Sequence, residues 1–133
     1  MYQPKRILFV EDDFEDRELL IDAVRAQTNG IDIAVAENGL QAVEYLASIK
    51  GGDRRPCLIV LDLNLPFIGG REVFGRICAD ESLKNIPVII FTSSLNPHDK
   101  EYFNSLGAEF ISKPMDYKEM NRIAGHIIQM CGS

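Results

Sequence analysis

Basic residues are in short supply. Fourteen Lys and Arg stand against 20 Asp and Glu in 133 residues, a formal net charge of -6. A surface of that sign is unsuited to releasing counterions from phosphates, which argues against nonspecific nucleic-acid and anionic-membrane binding. Long hydrophobic runs are missing as well. The longest, Cys57 to Leu61, falls far short of the roughly 20 residues of a membrane span. The opening, Met1 to Arg6, enters a short hydrophobic strand without the apolar stretch and small-residue cleavage site of a secretory leader. Cysteine is scarce and odd in number: Cys57, Cys78 and Cys131, with no Cys-x-x-Cys spacing. That usage speaks against a disulfide framework and a zinc site, and makes a reduced cytoplasm the expected compartment. The 46% hydrophobic and 26% charged content is that of an ordinary globular protein. At this length one domain, 1–133, is expected, with nothing after the last helix except Gly132 and Ser133 and therefore no output domain.

What is present is alternation. Short apolar runs at Ile7–Val10, Ile31–Val35, Leu58–Leu61, Val88–Phe91 and Glu109–Ile111 alternate with amphipathic stretches. The first, third and fourth runs are continuously apolar, as strands buried on both faces of a parallel sheet must be, whereas the second alternates and suits an edge. Helical spacing joins Leu19, Leu20, Ala23, Val24 and Gln27, then Leu40, Val43, Leu46 and Ile49, and finally Met120, Ile123, Ala124, Ile127, Ile128 and Cys131. Asp13, Asn38-Gly39, Asn96-Pro97 and Asp116 with Glu119 carry helix-start chemistry. Five β-α units with right-handed crossovers predict a doubly wound α/β sheet with helices on both faces. The glycine-rich stretch Lys50 to Pro56 is a loop within it.

In such a sheet, chemistry gathers at the carboxyl ends of the strands. Strand one runs into Glu11-Asp12-Asp13, strand three into Asp62, strand four into Thr92-Ser93-Ser94 and strand five into Lys113-Pro114. If strands one and three are neighbours, Glu11, Asp12 and Asp62 share one cleft, where carboxylates repel unless a cation is present. Oxygen ligands without His or Cys suit a hard ion, and few protein ligands favour Mg2+. Asp12 and Asp62 are the expected direct ligands, with Glu11 acting through water and the main-chain carbonyl of Asn64 as a further ligand. The Thr92 hydroxyl and Lys113 ammonium complete a phosphoryl site, in which Asp62 is the expected nucleophile.

These residues, with Leu61-Asp62-Leu63-Asn64-Leu65-Pro66 and Gly70 eight positions after Asp62, resemble the receiver domain of two-component response regulators, the CheY-like family, over nearly the whole chain. The resemblance implies a flavodoxin-like (βα)5 fold with strand order 2-1-3-4-5. It implies that Asp62 accepts a phosphoryl group from a histidine kinase or phosphotransfer protein, and that Glu11 and Asp12 hold Mg2+. Thr92 would bind the phosphoryl oxygen and Lys113 would neutralise it. The chain would be a phosphoacceptor with self-catalysed transfer and autodephosphorylation rather than an enzyme. The resemblance extends to stand-alone regulators that pair with bacterial phytochrome kinases. It further implies a cis peptide before Pro114 and a switch through Thr92 and Phe110. The switch aromatic is often Tyr in the family, so Phe110 retains a steric switch without a hydroxyl. The face of the fourth helix, fifth strand and fifth helix would be read by a downstream protein or by a second copy of the chain.

Competing readings are weaker on the residues. A haloacid-dehalogenase phosphatase needs Asp-x-Asp-x-Thr after strand one, where this chain has Glu11-Asp12-Asp13-Phe14-Glu15, with no threonine at the required place. A flavin or nucleotide carrier needs phosphate-binding amides there, and an acid cluster repels a dianion. A receiver fold used only as a binding module, without phosphorylation, is the remaining alternative. His98 and His126 are read as surface residues, the charges of the first helix as its solvated face, and Tyr102, Phe103 and Leu106 as packing residues. Phe67 has no evident role.

Overall fold

Continuous apolar runs become buried central strands, and the alternating one becomes an edge. The computed structural model describes residues 4–49 and 54–132. The loop segment Lys50 to Asp53 and the terminal residues Met1 to Gln3 and Ser133 lie outside the described residues. The elements run β1 (Lys5–Val10), α1 (Phe14–Gln27), β2 (Ile31–Ala36), α2 (Gly39–Ser48), β3 (Leu58–Leu61), α3 (Gly70–Ala79), β4 (Val88–Thr92), α4 (Pro97–Ser105), β5 (Glu109–Ser112) and α5 (Tyr117–Met130). All strands are parallel in the order β2-β1-β3-β4-β5.

Alternate side chains of the central strands serve two cores. Ile7, Phe9, Leu58, Val60, Ile89 and Phe91 pack against Leu20, Ile21 and Val24 of α1 and Ile123, Ala124 and Ile127 of α5. Leu8, Val10, Ile59, Leu61 and Ile90 meet Leu46 of α2, Phe74 and Ile77 of α3, and Phe103 of α4. Each such side chain, fully buried, contributes about 1.5–3 kcal/mol, so a polar residue in these runs would be costly. Helix starts follow the predicted capping chemistry. Asp13 accepts from the Asp16 N–H at 3.0 Å, Asn38 from Gln41 at 2.8 Å, Asn96 from His98 at 3.0 Å and Asp116 from Glu119 at 2.8 Å.

Several sequence expectations need correction. Leu19 and Leu40 are 39% and 47% exposed, because the buried face of α1 is rotated toward Leu20, Ile21 and Val24 and that of α2 is carried by Ala42 and Leu46. Arg17, counted among solvated charges, is buried, and its guanidinium donates to the Glu11 carbonyl at 3.0 Å. Cys57 and Cys131 form a disulfide with Cα atoms 5.1 Å apart across 74 residues. The entrance of β3 and the last turn of α5 meet at the same end of the sheet, which spacing along the chain does not reveal. No peptide among the described residues is cis, so the bond before Pro114 is trans. His98 is exposed, whereas His126 is half-buried with Nε2 2.7 Å from Glu109 Oε1. Phe103 is wholly buried, but Tyr102 and Leu106 are about half exposed (54% and 49%).

Candidate functional site

The sheet ladder continues past the ends of its strands and fixes the first acidic residues. The Glu11 N–H donates to Ala36 O at 3.1 Å, and the Asp62 N–H to Val10 O at 3.0 Å. Because β1 and β3 are neighbours, this backbone pairing brings the two distant acidic segments side by side. Glu11, Asp12 and Asp62 each offer a carboxylate oxygen, and these oxygens lie within 4.8 Å of one another. Glu11 and Asp62 are buried, while Asp12 is exposed at the mouth. Oxygen-only donors converging this closely fit a hard divalent cation.

Gly70 shapes the loop after Asp62. Its N–H donates to Leu63 O at 3.1 Å, and a Cβ on Gly70 would overlap the Asp62 carbonyl oxygen. Only glycine lets α3 start this close to the strand end. Asn64, on the same loop, is exposed, and its N–H donates to Asp62 Oδ1 at 3.3 Å. Phe67 is 83% exposed and takes φ 69°.

A cation already bridges the cluster. The Lys113 N–H donates to Thr92 O at 2.9 Å, which anchors the end of β5 beside β4. The Lys113 ammonium lies 2.7 Å from Glu11 Oε1, 2.9 Å from Asp16 Oδ2 and 3.2 Å from Asp62 Oδ2. Asp16 is the site member that sequence reading missed. It lies one turn into α1 and contacts a lysine 97 residues away, and the only signal was its place in the first helical turn after the acidic pair.

Electrostatics follow from burial. Loss of water pushes the Glu11 carboxyl up to about 7, reinforced by the hydrogen bond and charge of Asp62 and opposed by Lys113. Burial alone would lower Lys113, but hydrogen bonds to Glu11 and Asp16 and the charges of Asp62 and Glu11 outweigh it, so the ammonium is held well above its ordinary range. The lysine is therefore a fixed positive charge, and burial holds the Glu11 carboxyl well above the usual carboxylate range.

Thr92 is fully buried at the end of β4, and its hydroxyl accepts from the Ser94 N–H at 3.4 Å. Phe110 on β5 is half-buried and stacks on Phe103 with centroids 6.3 Å apart. The predicted residues thus gather at the carboxyl ends of the strands, with Phe110 set back in the sheet.

Comparisons with known proteins agree with this geometry. A family model described as the response regulator receiver domain matches residues 7–124. The response regulator Rcp1 of Synechocystis sp. is 39% identical over 98 residues, 72% of this chain and 67% of that protein. The phosphorylated cyanobacterial phytochrome response regulator RcpA superposes with a TM-score of 0.85 at 32% identity, covering 98% of this chain and 96% of that one. The Mn2+-bound form of Rcp1 superposes at 0.81 with 33% identity, covering 93% and 91%. With the family model spanning nearly the whole sheet and its acidic end, this chain belongs to the response regulator receiver domain family of two-component signalling.

Proposed function

We propose that Asp62 is the phosphoacceptor, and that a phytochrome-type histidine kinase or its phosphotransfer protein is the donor. One Asp62 oxygen attacks phosphorus in line, the P–N bond to the donor imidazole breaks, and the imidazole leaves with the electron pair. Glu11, Asp12 and Asp62, with the Asn64 carbonyl, would hold Mg2+, which when bound supplies charge neutralisation for the phosphoryl oxygens. Asp12 and Asp62 are the direct ligands in this reading, and Glu11 acts through water. Lys113 contributes a compact positive charge 3.2 Å from Asp62 Oδ2, and Thr92 a hydroxyl for a phosphoryl oxygen. The observation that carries the reading is the convergence of Glu11, Asp12 and Asp62 at the end of a buried parallel sheet, with the Lys113 ammonium against Glu11 and Asp62.

Phosphorylation draws Thr92 toward Asp62, Phe110 turns into the space released, and the α4-β5-α5 face changes shape for a downstream protein or a second copy of the chain. Water attacking phosphorus, with the Asp62 carboxylate as leaving group, returns the resting state, and Asn64 and Ser94 flank its approach. The likeness to the phytochrome response regulator RcpA supports a phytochrome kinase as donor. The Mn2+-bound relative supports a divalent ion at the carboxylates.

Incubation with Mg2+ and acetyl phosphate, followed by intact-protein mass spectrometry, tests the reading. A gain of about 80 Da, the mass of one phosphoryl group, is expected in the native protein and absent from Asp62→Asn. Labelling that survives Asp62→Asn places the phosphoryl group on another residue and overturns the assignment of Asp62, whereas no labelling of the native protein points instead to a binding module that works without phosphorylation.

A further inference from the structure

Asp99, in the first turn of α4, plays no part in the chemistry above, yet its side chain is only 8% exposed. A carboxylate taken out of water needs partners, and both of its oxygens have one. Oδ1 lies 2.5 Å from the Arg71 guanidinium, and Oδ2 accepts from the Ser94 hydroxyl at 2.8 Å. Helix capping does not explain these contacts, because Asn96 already caps α4 and the Asp99 oxygens turn to side chains.

Both partners belong to segments that hold the phosphoryl site. Arg71 follows Gly70, whose backbone is pinned to the residue after Asp62. Ser94 lies two residues past Thr92; its N–H donates to Thr92 Oγ1 at 3.4 Å, and its hydroxyl accepts from the Asn96 N–H at 3.4 Å. Arg71 also lies over the Phe103 ring, 5.6 Å from its centroid, and Phe103 stacks on Phe110. One ion pair therefore touches both the loop that follows Thr92 and the aromatic stack that carries Phe110. The Arg71 side chain is 55% exposed, so its end of the pair reaches solvent, while Asp99 is buried.

We infer that Asp99 is a positioning residue for the phosphoryl-transfer site: with Arg71 as counter-ion, it latches Ser94 and thereby holds the loop after Thr92 in its resting place. The latch sets how readily Thr92 reaches a phosphorylated Asp62. This rests on the reading of Thr92 as the residue that moves.

Two measurements on the full chain test it: hydrogen exchange across Ser94 to Asn96 in unphosphorylated protein, and the rate of phosphorylation by acetyl phosphate with Mg2+. Asp99→Asn and Arg71→Ala should each speed exchange of these amides about ten- to a hundredfold, the range that one hydrogen bond to a charged group represents. Both should change the phosphorylation rate in the same direction. The double variant should go no further than the larger single effect, and Arg71→Lys should fall between. Ser94→Ala, which leaves the ion pair intact, should loosen the loop as Asp99→Asn does and serves if an Asp99 variant fails to fold. Unchanged exchange in Asp99→Asn, or in Ser94→Ala where that variant stands in, overturns the latch, as do single effects that simply add in the double variant. If the native protein takes up no phosphoryl group, the reading of Asp62 fails, while the exchange measurement still decides the latch.

Discussion

The Lys113 ammonium sits 2.7 Å from Glu11 Oε1, nearer than the 3.2 Å that separates it from Asp62 Oδ2. The lysine is thus shared between the carboxylate proposed to hold metal through water and the one proposed to take phosphate. A divalent ion at the cluster relieves the same repulsion that the ammonium relieves.

Lys113→Ala leaves buried carboxylates without that counter-charge. Breaking a buried pair from one side costs about 3–5 kcal/mol, so the metal-free variant should melt well below the native protein. Mg2+ should restore more of the melting temperature in the variant than it adds to the native protein. Thermal unfolding with and without excess Mg2+ measures this, and equal Mg2+ shifts in the two proteins would contradict it.

If the cluster holds a divalent ion as proposed, Glu11 should make its binding depend on pH near neutrality. Its carboxyl is pushed up to about 7 in the folded protein and returns to the ordinary carboxylate range on unfolding. In metal-free protein the folded state binds the extra proton between those values. The stability from this group is therefore full at acid pH and is lost as pH rises toward 7. Mg2+ needs the ionised form, so its affinity should weaken below pH 7, and binding should release up to one proton. Calorimetry in two buffers of different ionisation enthalpy counts that proton, and Glu11→Gln should abolish the count.

The Cys57–Cys131 bridge closes a loop across 74 residues. Removing a cross-link of that span costs about 4 kcal/mol in the chain-entropy model, within an observed range of about 2–5 kcal/mol. Cys131→Ser and reduction of the native protein should lower the urea midpoint by the same amount, with no further loss when the two are combined. Phosphorylation should be unaffected, because the bridge lies at the opposite end of the strands from Asp62.

Phe67 holds a bulky side chain at φ 69° while leaving it 83% exposed. A left-handed non-glycine residue costs about 1–3 kcal/mol, and little packing is lost with an exposed ring. Phe67→Gly should therefore gain about 1 kcal/mol in chemical denaturation after glycine's own entropy cost. A clear loss of stability would show that the ring makes contacts in solution.

Local physics made much of this molecule legible from its residues. A strand covered on both faces excludes polar side chains, so Leu58 to Leu61 announced a central strand and made Asp62, at its end, conspicuous. Asp13, Asn38, Asn96 and Asp116 announced helix starts, because a cap bonds to a backbone only two or three residues away. Tertiary structure alone decided the rest. Asp16 meets Lys113 across 97 residues, Arg71 meets Asp99 across 28, and Cys57 meets Cys131 across 74. Such pairings carry no periodicity; they depend on how far each helix is rotated on the sheet and where each loop returns, which only the packed core determines.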